Sequence, residues 1–184
     1  MAEYYLMSQL PSLDGIGENT PLPITEERFS ELCRRHLGKK AQSEFNKLTL
    51  LPPREYEKSS SSLIEAWNEG ERKLRMALAK CRAEKMNKQF IIGNIYLPLE
   101  LMQTARTAVE MESPMEAEKF LNNYRLNFLE SLRPTDTFSE DSVFYYGLKL
   151  KLIMRMRSFD KESGQTAYKN IYNSILNGNR LEAE

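Results

Sequence analysis

The side chains best suited to chemistry in this chain are few. Two cysteines, Cys33 and Cys81, and a single histidine, His36, are its only soft metal ligands and its strongest nucleophile and base candidates. Cys33 and His36 lie three residues apart, so on a helix they share a face, where a thiolate–imidazole pair is conceivable. The plainer reading is a satisfied, half-buried histidine beside a small apolar cysteine. Any Ser-His-Asp or Cys-His arrangement would have to use His36. Zinc takes four ligands, usually in close pairs, and these three residues fall short. Two thiols are also too few for a disulfide framework. Gly15-Ile16-Gly17 lacks the further glycine and the Lys-Ser/Thr of a phosphate-binding loop. Carboxylates are plentiful, but none stands in a Glu-x-x-His, Asp-Asp-x-x-Asp or His-Glu-x-x-His pattern. Glu116 and Glu118 lie beside a helix start, where capping and solvation account for them. The expectation is a protein that is not an enzyme, with no catalytic residue, metal or cofactor.

Binding residues are better represented. Arg72, Lys73, Arg75, Lys80, Arg82, Lys85 and Lys88 follow Trp67, the only tryptophan. Interleaved glutamates make most of them a solvated face with i,i+4 pairs such as Glu69–Lys73. Trp67 reads first as a core anchor and second as an interface anchor. The candidate partner-binding set is Trp67, Arg72, Arg75, Arg82 and Lys85.

These residues need elements to hold them, and the pattern of the chain predicts helices. Thr25 reads as an N-cap, followed by a face of Phe29, Leu32, Cys33, His36 and Leu37 ending at Gly38. A second helix covers about 40–50. The longest helix runs from about Leu63 to Lys88, capped by the Ser59–Ser62 run, with Leu63, Trp67, Leu74, Leu78 and Cys81 on one stripe. Gly70 lies on that stripe and suits close approach by a neighbouring helix. Phe90 to Leu97 reads as a turn or extended link. Pro98 starts the next helix, to about Met111. Ser113-Pro114-Met115-Glu116 is a capping-box start for a helix carrying Phe120, Leu121, Tyr124, Phe128 and Leu132. The helix from Ser139 to about Phe159 is apolar nearly all round, the mark of a buried centre. Asp160 caps a last helix with an inner face of Ala167, Tyr168, Ile171, Tyr172 and Ile175, ending at Asn177-Gly178. Residues 1–24 read as an extended segment and loop. The fold class expected is all-α, an irregular bundle of about six to eight helices, forming one domain over 1–184 with its helical body at 25–178.

Composition agrees with this reading. The 184 residues hold 26 basic and 26 acidic side chains, 41% are hydrophobic and 28% charged. Zero formal charge argues against a general nucleic-acid grip. No basic n-region leads into an apolar core, and no apolar stretch reaches 18 residues, so the expected location is the cytoplasm with no membrane span.

Three stretches carry a resemblance. The first is Tyr4-Tyr5 through Leu10-Pro11-Ser12-Leu13, with Pro21-Leu22-Pro23-Ile24, Phe29 and Leu32-Cys33. The second is Trp67 to Arg75 with Ala79 to Ala83. The third is Leu150 to Arg157, then Phe159 to Gly164 and Tyr168 to Ile171. Together they resemble a bacterial family of unassigned function encoded beside V-type ATPase genes. That family is itself similar to the C-type (or d-type) subunit of V/A-type ATPases, the helical funnel joining the rotor ring to the central stalk. The resemblance implies a non-catalytic coupling role in proton or sodium transport. It also implies the central-stalk and membrane-ring subunits as partners, with attachment at the inner membrane through the ATPase. The chain is shorter than a full funnel subunit, which has three similar helical units. The alternatives are a general helical adaptor or scaffold, and an enzyme with a hidden helical cavity.

Overall fold

The computed structural model describes residues 2–16, 20–55, 58–90, 95–158 and 161–181, with side chains described for all of these but 2, 161–163 and 176–181. Among the described residues there are eight helices and no strand: α1 (Ala2–Gln9), α2 (Glu26–His36), α3 (Lys39–Asn46), α4 (Ser62–Lys85), α5 (Leu99–Glu110), α6 (Pro114–Ser131), α7 (Glu140–Ser158) and α8 (Lys161–Leu181). The protein is all-α.

Local chemistry sets several helix ends. The Thr25 hydroxyl accepts from the Arg28 N–H, Glu26 and Glu27 occupy the first turn of α2, and Arg34, Arg35 and His36 its last, matching the dipole at both ends. The Ser61 hydroxyl accepts from the Ile64 N–H at the start of α4 and donates to Asp141 Oδ1 at 2.5 Å, tying the starts of α4 and α7 together. Ser113 caps α6 by accepting from the Glu116 N–H, with Pro114 in the first turn. α4 stops three residues earlier than the apolar pattern predicts. Asn87 takes a left-handed conformation, φ 54°. The Lys88 N–H donates to Ala83 O and the Asn87 N–H to Glu84 O, the paired bonds of a Schellman motif.

Three apolar clusters form the core, and α7 joins the first two. Leu6 of α1, Leu13, Phe29 and Leu32 of α2 pack on Val143, Tyr146 and Leu150 of α7. On the opposite face of α7, Phe144, Leu148 and Leu152 meet Ala41, Leu63, Trp67 and Leu129. Being covered on both sides explains why α7 is apolar nearly all round. Gly147 lets α2 and the α3–α4 link come close, since a Cβ there would lie 2.9 Å from Leu48 and 3.1 Å from Phe29. The third cluster sets Leu74, Ala77, Leu78 and Cys81 of α4 against Leu101, Ala105 and Ala108 of α5 and Leu121 of α6.

Two expectations are corrected at the chain's ends. The first residues are not extended. Residues 2–9 form α1, because Leu6 buries completely against α2 and α7 while Tyr4 and Tyr5 remain outside. The predicted inner face of the last helix is not an inner face. Every described side chain from Gly164 to Ile175 is exposed, and the helix runs past Asn177-Gly178 to Leu181. The Asp160 cap, Gly17 and residues 91–94 of the 90–97 link lie outside the described residues.

Candidate partner-binding surface

The five residues singled out for binding do not form one patch. Trp67 is 1% exposed, stacked on Phe128 at 6.1 Å between ring centroids, so it anchors the core and cannot meet a partner in this fold. Arg72 donates to the carbonyls of Pro53 and Glu55, at 2.8 and 3.1 Å, clasping the loop before α4. The Arg75 guanidinium pairs with Glu71 at 3.1 Å. Both are therefore engaged within the chain. The expected Glu69–Lys73 pair is present at 2.6 Å.

Arg82 and Lys85 lie further along α4, and Lys85 too is engaged within the chain. They stand one turn apart at the end of α4, both exposed. They border a groove of about 450 Å³ between the ends of α4 and α5 and the start of α6. Leu78, Val109 and Leu121 line its apolar floor and Glu118 its far wall. The Lys85 ammonium donates to Val109 O at 2.7 Å, satisfying a carbonyl in the last turn of α5. The arrangement offers a lipophilic slot with two cations on its rim. It suits an apolar side chain presented beside acidic ones.

Two ionic clusters escaped the sequence reading. Glu71, buried on α4, accepts from Arg125 Nε at 2.9 Å and Nη2 at 3.1 Å. Arg125 also donates to Asn122 at 3.0 Å and Glu118 at 3.3 Å, and Glu118 accepts from Arg155 of α7 at 2.6 Å. Glu118 is thus a bridge between α6 and α7, not a solvated carboxylate. The bidentate Arg–carboxylate geometry is the form that best offsets desolvation.

The second cluster centres on Lys149 of α7, which reaches Asp14 at 2.5 Å and Glu130 at 2.6 Å and lies over the Tyr145 ring. Burial pushes the Lys149 ammonium toward losing its proton, but hydrogen bonds to Asp14 and Glu130 outweigh this and hold it above the ordinary lysine value. Asp14 is held below the usual carboxylate range by its bond to Lys149. Burial raises Glu130, and its pairing with the Lys149 ammonium reverses the sign to a net lowering. A lysine kept protonated between two carboxylates is a clamp, not a nucleophile. It pins the loop after α1 to the central helix, aided by Tyr146, whose hydroxyl donates to Pro11 O at 2.9 Å.

Cys33 is fully buried, and burial pushes its thiol up to about 12. The His36 ring lies 3.5 Å from the Gln9 side chain of α1. Cys81 is also buried and its thiol raised, first by burial. Among the described residues no group of three His, Cys, Asp or Glu side chains could hold a metal ion. No helix of the described residues is long and apolar enough to cross a membrane.

Surface apolar residues remain. Tyr96 and Leu99 stand exposed at the start of α5, and Tyr4 packs on Phe138 with both rings open to solvent. α8 carries four more, Tyr168, Ile171, Tyr172 and Ile175. A family model matches residues 97–179. Its description is protein of unknown function (DUF2764), and the match spans α5 to α7 and nearly all of α8. The chain is similar to that family over less than half of its length. No curated protein matches the chain. No solved structure matches it either.

Proposed function

We propose that this protein is a non-catalytic subunit or accessory protein of a V/A-type ATPase, in the manner of the C-type (d-type) funnel that couples the central stalk to the membrane rotor ring. The observation that carries the reading is the resemblance of the three stretches at 4–33, 67–83 and 150–171. In the fold these stretches are the α1–α2 arm, the middle of α4 and the α7–α8 junction. A protein that couples by contact works by holding its neighbours, so it needs a stiff body and adhesive surfaces rather than reactive groups. The central α7, clamped to α1–α2 by Lys149 and to α6 by Arg155, supplies stiffness. The Arg82–Lys85 groove and the exposed Tyr96 and Leu99 at the start of α5 supply adhesion. Zero net charge makes attraction a matter of such local patches.

The experiment is capture of purified V-type ATPase stalk and ring subunits by the full chain, wild type against Arg82→Glu/Lys85→Glu. Capture by wild type, lowered at least about tenfold in the variant, is expected if two rim charges face acidic side chains. Capture of neither stalk nor ring by wild type across a range of salt overturns the ATPase reading. The exposed apolar patches then favour the second reading, a helical adaptor for another protein.

A further inference from the structure

Over its described side chains, 164–175, helix α8 is amphipathic without a core to face. Tyr168, Ile171, Tyr172 and Ile175 form one stripe and are 69%, 60%, 52% and 57% exposed. The Tyr168 and Tyr172 rings stack on each other at 6.2 Å, so the stripe is already ordered as a ledge. The helix has little intrinsic strength, carrying Gly164, Asn170 and Asn173 among its described residues. A helix of weak formers gains most of its stability from covering its apolar face. Something that covers this one stabilises it.

The stripe itself indicates what fits. Its spacing is three, one and three residues, which reads the same in both directions. Its chemistry alternates, Tyr-Ile-Tyr-Ile, and reverses when read backwards. An identical helix laid antiparallel therefore sets Tyr168 against Ile175, and Ile171 against Tyr172, twice over. Each ring meets a branched aliphatic chain, and the two helix dipoles oppose. Between Gly164 and Ile175 the only charged side chain is Lys169, flanked by Gln165, Thr166, Asn170, Asn173 and Ser174. Such a face gives a charged partner little to recognise and a second copy little to repel. Under reversal Lys169 faces Ser174. We propose that α8 is a dimerisation helix that pairs antiparallel with α8 of a second copy of this chain, through Tyr168, Ile171, Tyr172 and Ile175. This stands apart from the ATPase reading and does not depend on it.

The size of the face sets the strength. Four half-exposed side chains offer on the order of 100 Å² each. Two copies then bury about 800 Å², below the range of stable specific interfaces, so the dimer is weak, transient and concentration-dependent. The experiment is sedimentation of the full chain over a concentration series, for wild type and Ile171→Glu/Ile175→Glu. Wild type should show a monomer–dimer equilibrium in the range of about 10–100 µM, and the variant should dimerise at least about 100-fold more weakly. Thermal unfolding of the variant at low concentration should match wild type, because the face touches no core. For orientation, Tyr168→Cys and Ile175→Cys copies are mixed and oxidised, and mixed disulfide dimers should outnumber either homodimer. Dominant same-residue disulfides overturn the antiparallel pairing. A chain monomeric throughout, or a variant that dimerises as well as wild type, overturns the proposal. That holds whether α8 then lies on its own body or on another protein.

Discussion

Glycine at position 70 costs α4 about 1 kcal/mol of helix propensity relative to alanine. The fold explains its presence, because a Cβ there would overlap the edge of the Phe128 ring. Phe128 cannot simply swing away, since its other side packs on Trp67. Overpacking of this kind costs about 1–3 kcal/mol, which exceeds the propensity gain. Gly70→Ala should therefore destabilise the protein by about 1–2 kcal/mol in urea unfolding, and adding Phe128→Leu should recover part of that. A stabilised Gly70→Ala would show that the two helices do not approach so closely. The sequence marks Gly70 through its place on an apolar stripe, but its partner is 58 positions away and depends on how α4 and α6 meet. The Glu71–Arg125 pair was hidden for the same reason. Arg125 lies four residues from both Leu121 and Leu129, on the stripe that buries, but its partner Glu71 lies among surface-type charges 54 positions away. Glu71→Leu alone leaves a buried guanidinium without its main partner and should cost about 3–5 kcal/mol. Glu71→Leu with Arg125→Met should cost clearly less, which a double-mutant cycle measures.

At the scale of elements, the chain announces those with strong caps and a covered face. Thr25, Ser61 and Ser113 each accept the backbone N–H that their positions predict. α7 was legible as the centre because apolar residues surround it, and Leu150 is fully buried there. Leu150→Asp should cost several kcal/mol in thermal unfolding, whereas a variant as stable as wild type would place that face at an interface. The two terminal helices were the hard ones. α1 is eight residues long, too short for a period to separate helix from strand. α8 has a clear period, and period alone says that a face is apolar, not that this chain covers it. The clamp joining the α1–α2 loop to α7 has a pH signature. Asp14 and Glu130 titrate below their ordinary values, so their contribution is present above the usual carboxylate range and is lost as pH falls through the lowered values. Lys149 titrates above its ordinary value, so its contribution is present below the usual lysine value and is lost as pH rises through the raised one. The clamp is complete between roughly pH 5 and 10. Lys149→Met should flatten the fall in stability on acidification, read as unfolding midpoints at pH 7 and at about pH 3. An acid limb as steep as that of wild type would place the acid sensitivity elsewhere.

For the whole molecule, the fold class followed from helix signals spread over most of the chain. The binding surface followed only in part. Arg82 and Lys85 border a groove, whereas Arg72 and Arg75 are spent on Pro53, Glu55 and Glu71 and Trp67 is core. A basic helix looks the same in sequence whether its cations hold a loop of their own chain or wait for a partner. What the assembled molecule presents is a braced helical body with apolar and cationic surface at its margins, and the proposal is that a rotary ATPase uses that surface. The most direct measurement is purification of the tagged full chain from its own cells in mild detergent, with quantitation of every co-eluting protein. The account predicts V-type ATPase stalk, ring and head subunits at a fixed ratio to the tagged chain, preserved through a salt series. ATPase subunits absent from the eluate, while the intact enzyme is recovered from the same membranes without the chain, would contradict it.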